Sequence, residues 1–129
     1  MSQLNKRIGL IGCGNMGEAM VGAMVNTAII EPSMIMVSDT VTARLDHLRH
    51  TYHVTATQDN AHVFSQSDVV ILAVKPQQMG PLLSGIAKHK DYHIPQRKVV
   101  ISIAAGIPLK TIEEALYASL SPDAAQRLP

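Results

Sequence analysis

The sequence predicts an α/β fold, a doubly wound and mostly parallel sheet with helices on both faces. Three observations predict it. Short apolar runs alternate with helix-like stretches five times along the chain, the pattern of strands joined by crossover helices. The run Val69–Val74 is continuously apolar, as a strand buried on both faces must be. Three glycines, Gly12, Gly14 and Gly17, fall within six residues between an apolar run and a helix-like stretch. Glycine suits neither element, so the cluster marks a turn with a purpose.

The elements follow in order. Arg7–Gly12 (RIGLIG) reads as a buried strand bounded by glycine. Asn15–Asn26 reads as a helix, with Met16, Met20 and Met24 as one core-facing stripe. Pro32 marks a loop before a second strand, Met34–Ser38. Thr42–Tyr52 is an amphipathic helix with Leu45 and Leu48 inward. Val54–Thr57 is a short third strand, and Asp59–Gln66 a short helix with Asp59 as its N-cap. Asp68–Val74 is the fourth strand, ended by Pro76. Gln77–His89 is a helix with Gly80 and Pro81 near its start. Lys98–Ala104 is the fifth strand, and Leu109–Leu120 the last helix after the break at Gly106 and Pro108.

Composition narrows the function. The 129 residues suffice for one domain, 1–129, with a real core. Hydrophobic residues reach 47% and charged residues only 16%, below the ~25% usual for globular domains. Apolar surface is therefore expected where a partner domain or subunit docks. A net charge of +1 without a Lys/Arg cluster argues against nucleic acid. A single cysteine, Cys13, excludes an intramolecular disulfide and a cysteine-rich zinc site. Lys6, Arg7 and the apolar run before Cys13 mimic a signal peptide, but the run is short and broken by glycine. No stretch reaches the ~18 apolar residues of a membrane span. A soluble, cytoplasmic protein is expected.

The strand–turn–helix context gives the glycines their chemistry. Gly12 permits a tight turn after strand one, Gly14 lets a pyrophosphate approach the backbone, and Gly17 lets helix and strand pack closely. Free N–H groups at the helix start hold the phosphate charge. Asp39 lies at the end of strand two, where an acidic residue accepts hydrogen bonds from a ribose and favours NAD. Ser38, Thr40, Thr42 and Arg44 argue for the extra phosphate of NADP. Asp39 and Thr40 read equally as caps of the next helix. Lys75 and Pro76 close strand four at the edge where cofactors lie, although Pro76 also serves simply to stop the strand. His47, His50 and His53 read as an exposed polar helix face rather than a metal site, and His62, His89 and His93 belong to no motif. Cys13 reads as a packing residue in the turn.

The segments IGLIGCGNMGEAM (Ile8–Met20), SDVVILAVKPQ (Ser67–Gln77) and VVISIAAGI (Val99–Ile107) together resemble the pyrroline-5-carboxylate reductase family. The resemblance runs from about Ile8 to Leu120. It implies an oxidoreductase of proline biosynthesis that reduces 1-pyrroline-5-carboxylate to L-proline with hydride from NADPH or NADH, held in a Rossmann-type domain. It implies that Gly12, Gly14, Asn15, Met16 and Gly17 hold the pyrophosphate. Ser38, Asp39 and Thr40 would lie by the adenosine ribose, and Asn60 would contact the cofactor. Ala73, Val74, Lys75 and Pro76 would line the nicotinamide side, facing Ala104, Ala105 and Gly106. Family habit favours NADP(H) over NAD(H). In the family a segment with an Asn-Thr-Pro motif follows, then a helical domain that forms the homo-oligomer and much of the substrate pocket. This sequence stops at Pro129, before both. It is expected to contain no catalytic residue of its own and to be inactive alone. Another imine or ketone reductase, or a dinucleotide-binding module without enzyme activity, remains an alternative.

Overall fold

The computed structural model describes residues 5–89, 98–103 and 109–117. Five strands form one sheet: β1 (Ile8–Ile11), β2 (Ile35–Ser38), β3 (Thr55–Thr57), β4 (Val69–Leu72) and β5 (Val99–Ser102). Their order is β3-β2-β1-β4-β5, and every pair is parallel. Ile8 aligns with both Ile35 and Val69, so the three central strands share one register. Between the strands run α1 (Asn15–Asn26), α2 (Thr42–Tyr52), α3 (Asn60–Gln66) and α4 (Pro76–Lys88); α5 (Leu109–Tyr117) follows β5.

Side-chain alternation along β1 divides the core into two layers. Ile8 and Leu10 pack with Val21 of α1 and with Leu45 and Leu48 of α2. Ile11 packs on the other face with Phe64 of α3, Met79 and Leu83 of α4, and Ile112 and Leu116 of α5. The α1–α2 layer does not cover β5: Val99 and Ile101 remain 49% and 42% exposed. This is apolar surface of the kind the low charge content foreshadows.

Two expectations are corrected. Met16 is 63% exposed, so the methionine stripe is core only at Met20 and Met24, which pack half-buried against the α1–α2 layer. The reason is length: α1 begins at Asn15, beyond the end of β1, and its first turn has no sheet beneath it. Pro76 does not end β4, which stops at Leu72; it opens α4 at the first helical position, where a missing N–H costs nothing. Asp59 caps α3 as expected, its carboxylate accepting from the His62 N–H at 3.0 Å. His53 ends α2 in the left-handed conformation, at φ +62°.

Gly9, in the central strand, has a part the motif gives no hint of. A Cβ there would stand 2.7 Å from Val63 Cγ1 and would overlap Ser67 Oγ. The missing side chain is what lets α3 lie directly on β1. Lys98 plugs the same layer from the opposite edge. It is 1% exposed, and its ammonium donates to the carbonyls of Phe64 and Ser67 at the end of α3. Its Nζ also sits 4.5 Å from the centroid of the Phe64 ring. The ammonium satisfies carbonyls that a helix C-terminus leaves free. Burial still pushes the amine down to about 8, against the partial opposition of Asp68.

Two predictions follow from this packing. Gly9→Ala overpacks the β1–α3 contact and costs about 1–3 kcal/mol, read as a lower urea midpoint at unchanged slope. Lys98 loses its proton near pH 8 in the folded chain but only near 10.5 when unfolded. Between those values the unfolded chain binds more protons, so this group makes folding more favourable as pH rises. Wild type therefore gains stability relative to Lys98→Met between pH 8 and 10, and parallel melting curves of the two proteins over that range would contradict the assignment.

Candidate functional site

The site is built by the reversal of strand order. After β1 the chain winds outward to β2 and β3, then returns to place β4 on the other side of β1. The crevice above the carboxyl ends of β1 and β4 lies where the two helical layers diverge. A cavity of about 620 Å³ occupies it. The end of β1 supplies Ile11, Gly12 and Gly14; the β2–α2 loop supplies Asp39, Thr40 and Val41. Asn60 enters from α3. Ala73, Val74 and Lys75 enter from the end of β4, and Gln77, Gln78, Pro81 and Leu82 from α4. A hollow of about 220 Å³ adjoins it, sharing Asn60, Pro81 and Leu82.

The glycines of the turn differ in what they permit. Gly12 has φ +79°, a left-handed conformation, and a Cβ there would overlap Val74 Cγ1 and stand 3.2 Å from the Val74 backbone. Its N–H donates to the Ser38 carbonyl at 3.0 Å, tying the turn to β2. Gly14 has an ordinary φ of −73° and is the N-cap of α1. A Cβ on it would meet no protein atom within 4 Å. So the fold does not require glycine at position 14; the open space does. Gly17 is buried, and its Cβ would come 3.1 Å from Cys13 Sγ.

The remaining expected residues fall as follows. Asn15 and Met16 are exposed on the first turn of α1 and are not among the residues that line the cavity. Ser38 is fully buried, and its Oγ has no hydrogen-bond partner; its hydroxyl does not reach the cavity surface. Asp39 accepts from the Val41 N–H at 3.0 Å, an Asx turn that shapes the loop. The N-cap of α2 is Val41, so neither Asp39 nor Thr40 caps that helix by its side chain. Lys75 is the N-cap of α4; its N–H donates to Gln78 Oε1 at 3.2 Å. Pro76 sits next to it as the first helical residue. Ala104, Ala105 and Gly106 lie outside the described residues.

Arg44 is placed differently from the sequence expectation. Its Nε donates to the Cys13 carbonyl at 3.0 Å and its Nη2 reaches Asn15 Oδ1 at 3.5 Å. The same Nη2 pairs with Glu18 at 3.2 Å. Glu18 also receives His47 Nε2 at 3.0 Å and the Tyr52 hydroxyl at 2.9 Å. Helix α2 thus grips the glycine turn and the first turn of α1 from one side. Hydrogen bonds from His47, then Tyr52, hold the Glu18 carboxyl below its usual range, and the same bond raises the Tyr52 hydroxyl. Sequence reading passed over Glu18 and Tyr52. The available signal was the spacing of Arg44, His47 and Tyr52 on one stripe of α2.

With the geometry in place, comparison with known proteins decides the family. The family described as NADP oxidoreductase, coenzyme F420-dependent, matches residues 7–106. The chain belongs to this family. Among its relatives, a pyrroline-5-carboxylate reductase of Methanosarcina acetivorans is 40% identical over 87% of this chain. That of Escherichia coli is 33% identical over 88% of it. The match spans 40% of the length of each relative. The solved structure of a pyrroline-5-carboxylate reductase from Coxiella burnetii superposes with a TM-score of 0.73 at 31% identity, covering 88% of this chain and 41% of that one. The chain is similar to the N-terminal domain of these enzymes, as the three sequence segments suggested.

Cys13 sits inside the turn yet is fully buried. Burial pushes its thiol up to about 11, with Arg44 opposing and Asp39 and Glu18 adding to the rise. At pH 7.5 the folded chain should react with a disulfide reagent about a hundredfold more slowly than the urea-unfolded chain. Equal rates would show an accessible thiolate.

Proposed function

We propose that residues 1–129 are the dinucleotide-binding domain of a pyrroline-5-carboxylate reductase and bind NADP(H) or NAD(H) in the crevice between β1 and β4. One observation carries the reading: Gly14 faces open space at the N-terminus of α1, in a backbone conformation any residue adopts. A glycine unexplained by torsion or packing is explained by a ligand that must touch the backbone there.

In this reading the pyrophosphate lies along Gly12, Gly14, Asn15, Met16 and Gly17, against the free N–H groups of α1. Asp39 and Thr40 meet the adenosine ribose, with Ser38 supporting the turn through its carbonyl rather than its buried hydroxyl. Asn60 contacts the cofactor from α3. The nicotinamide lies along Ala73, Val74, Lys75 and Pro76, with Ala104, Ala105 and Gly106 opposite. The cofactor supplies a hydride when bound. The chain's own residues orient it and exclude water. The substrate is 1-pyrroline-5-carboxylate and the product L-proline, in a cytoplasmic homo-oligomer. The exposed Val99 and Ile101 give a further domain or subunit an apolar surface to cover. Phosphorylated and unphosphorylated dinucleotide are both accommodated, because Asp39 and Arg44 pull in opposite directions at the β2–α2 loop.

Calorimetric titration with NADPH and with NADH tests the reading. Wild type should bind at least one of them. Gly14→Val should abolish binding while changing stability by less than ~1 kcal/mol, since the new side chain enters empty space. Retained binding by Gly14→Val, or none by wild type at millimolar cofactor, would sink the claim.

A further inference from the structure

Glu18 poses an electrostatic problem. It stands in the first turn of α1, the helix end that attracts anions. A carboxylate there suits the helix dipole but opposes a bound phosphate. The structure shows where its charge goes. One oxygen takes Arg44 Nη2 at 3.2 Å, and the other takes His47 and Tyr52 at 3.0 and 2.9 Å. All three donors come from α2, so the carboxylate is turned away from the crevice and toward that helix.

The consequence falls on Arg44. Its Nε and Nη2 edge is docked on the Cys13 carbonyl, Asn15 and Glu18. Its Nη1 has no partner among the described residues, and the side chain is 26% exposed. Two carboxylates, Glu18 and Asp39, and one guanidinium are therefore gathered about the glycine turn and the β2–α2 loop. Among these three groups the balance is one negative charge. A second phosphate brought to this loop meets a guanidinium whose charge is already matched.

Resting on the dinucleotide reading above, we propose that Glu18 is a specificity-determining positioning residue: by pairing with Arg44 it fixes the guanidinium on the glycine turn and cancels its charge, which weakens the site's preference for a 2′-phosphorylated dinucleotide. Glu18 touches neither cofactor nor substrate and acts only through Arg44.

The test is the ratio of NADPH to NADH dissociation constants for this chain, with circular dichroism confirming the fold of each variant. Glu18→Gln keeps one acceptor oxygen, enough for Arg44 or for Tyr52 but not both, and removes the charge. It should tighten NADPH roughly tenfold while NADH changes by less than about twofold. Arg44→Gln loosens the glycine turn for both cofactors but should weaken NADPH more than NADH, moving the ratio in the opposite sense. A purely structural Glu18 would lower the melting temperature and move both cofactors together, and that result overturns the proposal. Should Glu18→Gln fail to fold, an unchanged ratio in Arg44→Gln overturns it equally. A wild-type chain that binds neither cofactor defeats the dinucleotide reading and this one with it. Binding with a ratio indifferent to both substitutions defeats this one alone.

Discussion

The structure depends on the chain leaving β1 within a single residue. Gly12 makes that turn at φ +79°, where the Val74 backbone lies 3.2 Å from the place a Cβ would take. An L side chain would be both strained and obstructed there. Because the turn is so short, only three residues separate β1 from α1, whose N-cap Gly14 is on the wall of the crevice. The Gly12 N–H then ties the turn to Ser38 at the end of β2. One backbone conformation thus joins three strands to the site they surround.

Around this turn, polar groups do the work of alignment. Arg44 binds the Cys13 carbonyl, and Glu18 collects Arg44, His47 and Tyr52. The α1–α2 pair is therefore held by charge and hydrogen bonds at the site end and by Val21, Leu45 and Leu48 deeper in the core. On the opposite layer, Lys98 reaches across from the start of β5 to the end of α3. Its burial is tolerated because carbonyls and an aromatic face receive the ammonium. Pairing of this kind adds definition rather than much net stability, since desolvation offsets most of the attraction.

Much of this was legible in the sequence. The order of strands and helices, the glycine turn and the Asp59 cap all fall where the sequence places them, and Asp39, Asn60, Ala73, Val74 and Lys75 line one crevice. Errors cluster where a residue's meaning depends on a neighbour distant in sequence. Met16 follows the helical period yet has no sheet under it. Ser38 carries a hydroxyl at the expected strand end, but its side chain is buried. Pro76 reads as the end of a strand and proves to be the start of a helix.

The sequence by itself determined what is local: hydrophobic period, turn torsions, helix starts and hence the alternating strand–helix order. Those features arise within a few residues, where backbone sterics and side-chain spacing act directly. Only the tertiary structure decided which residues meet. Arg44 and Cys13 are 31 residues apart, Tyr52 and Glu18 are 34, and Lys98 and Phe64 are also 34. No periodicity encodes such pairs. They exist because the outward winding through β2 and β3 brings α2 against α1, while the return crossover sets β4 and β5 on the other side of β1; that return also opens the crevice that gives Gly14 its empty space.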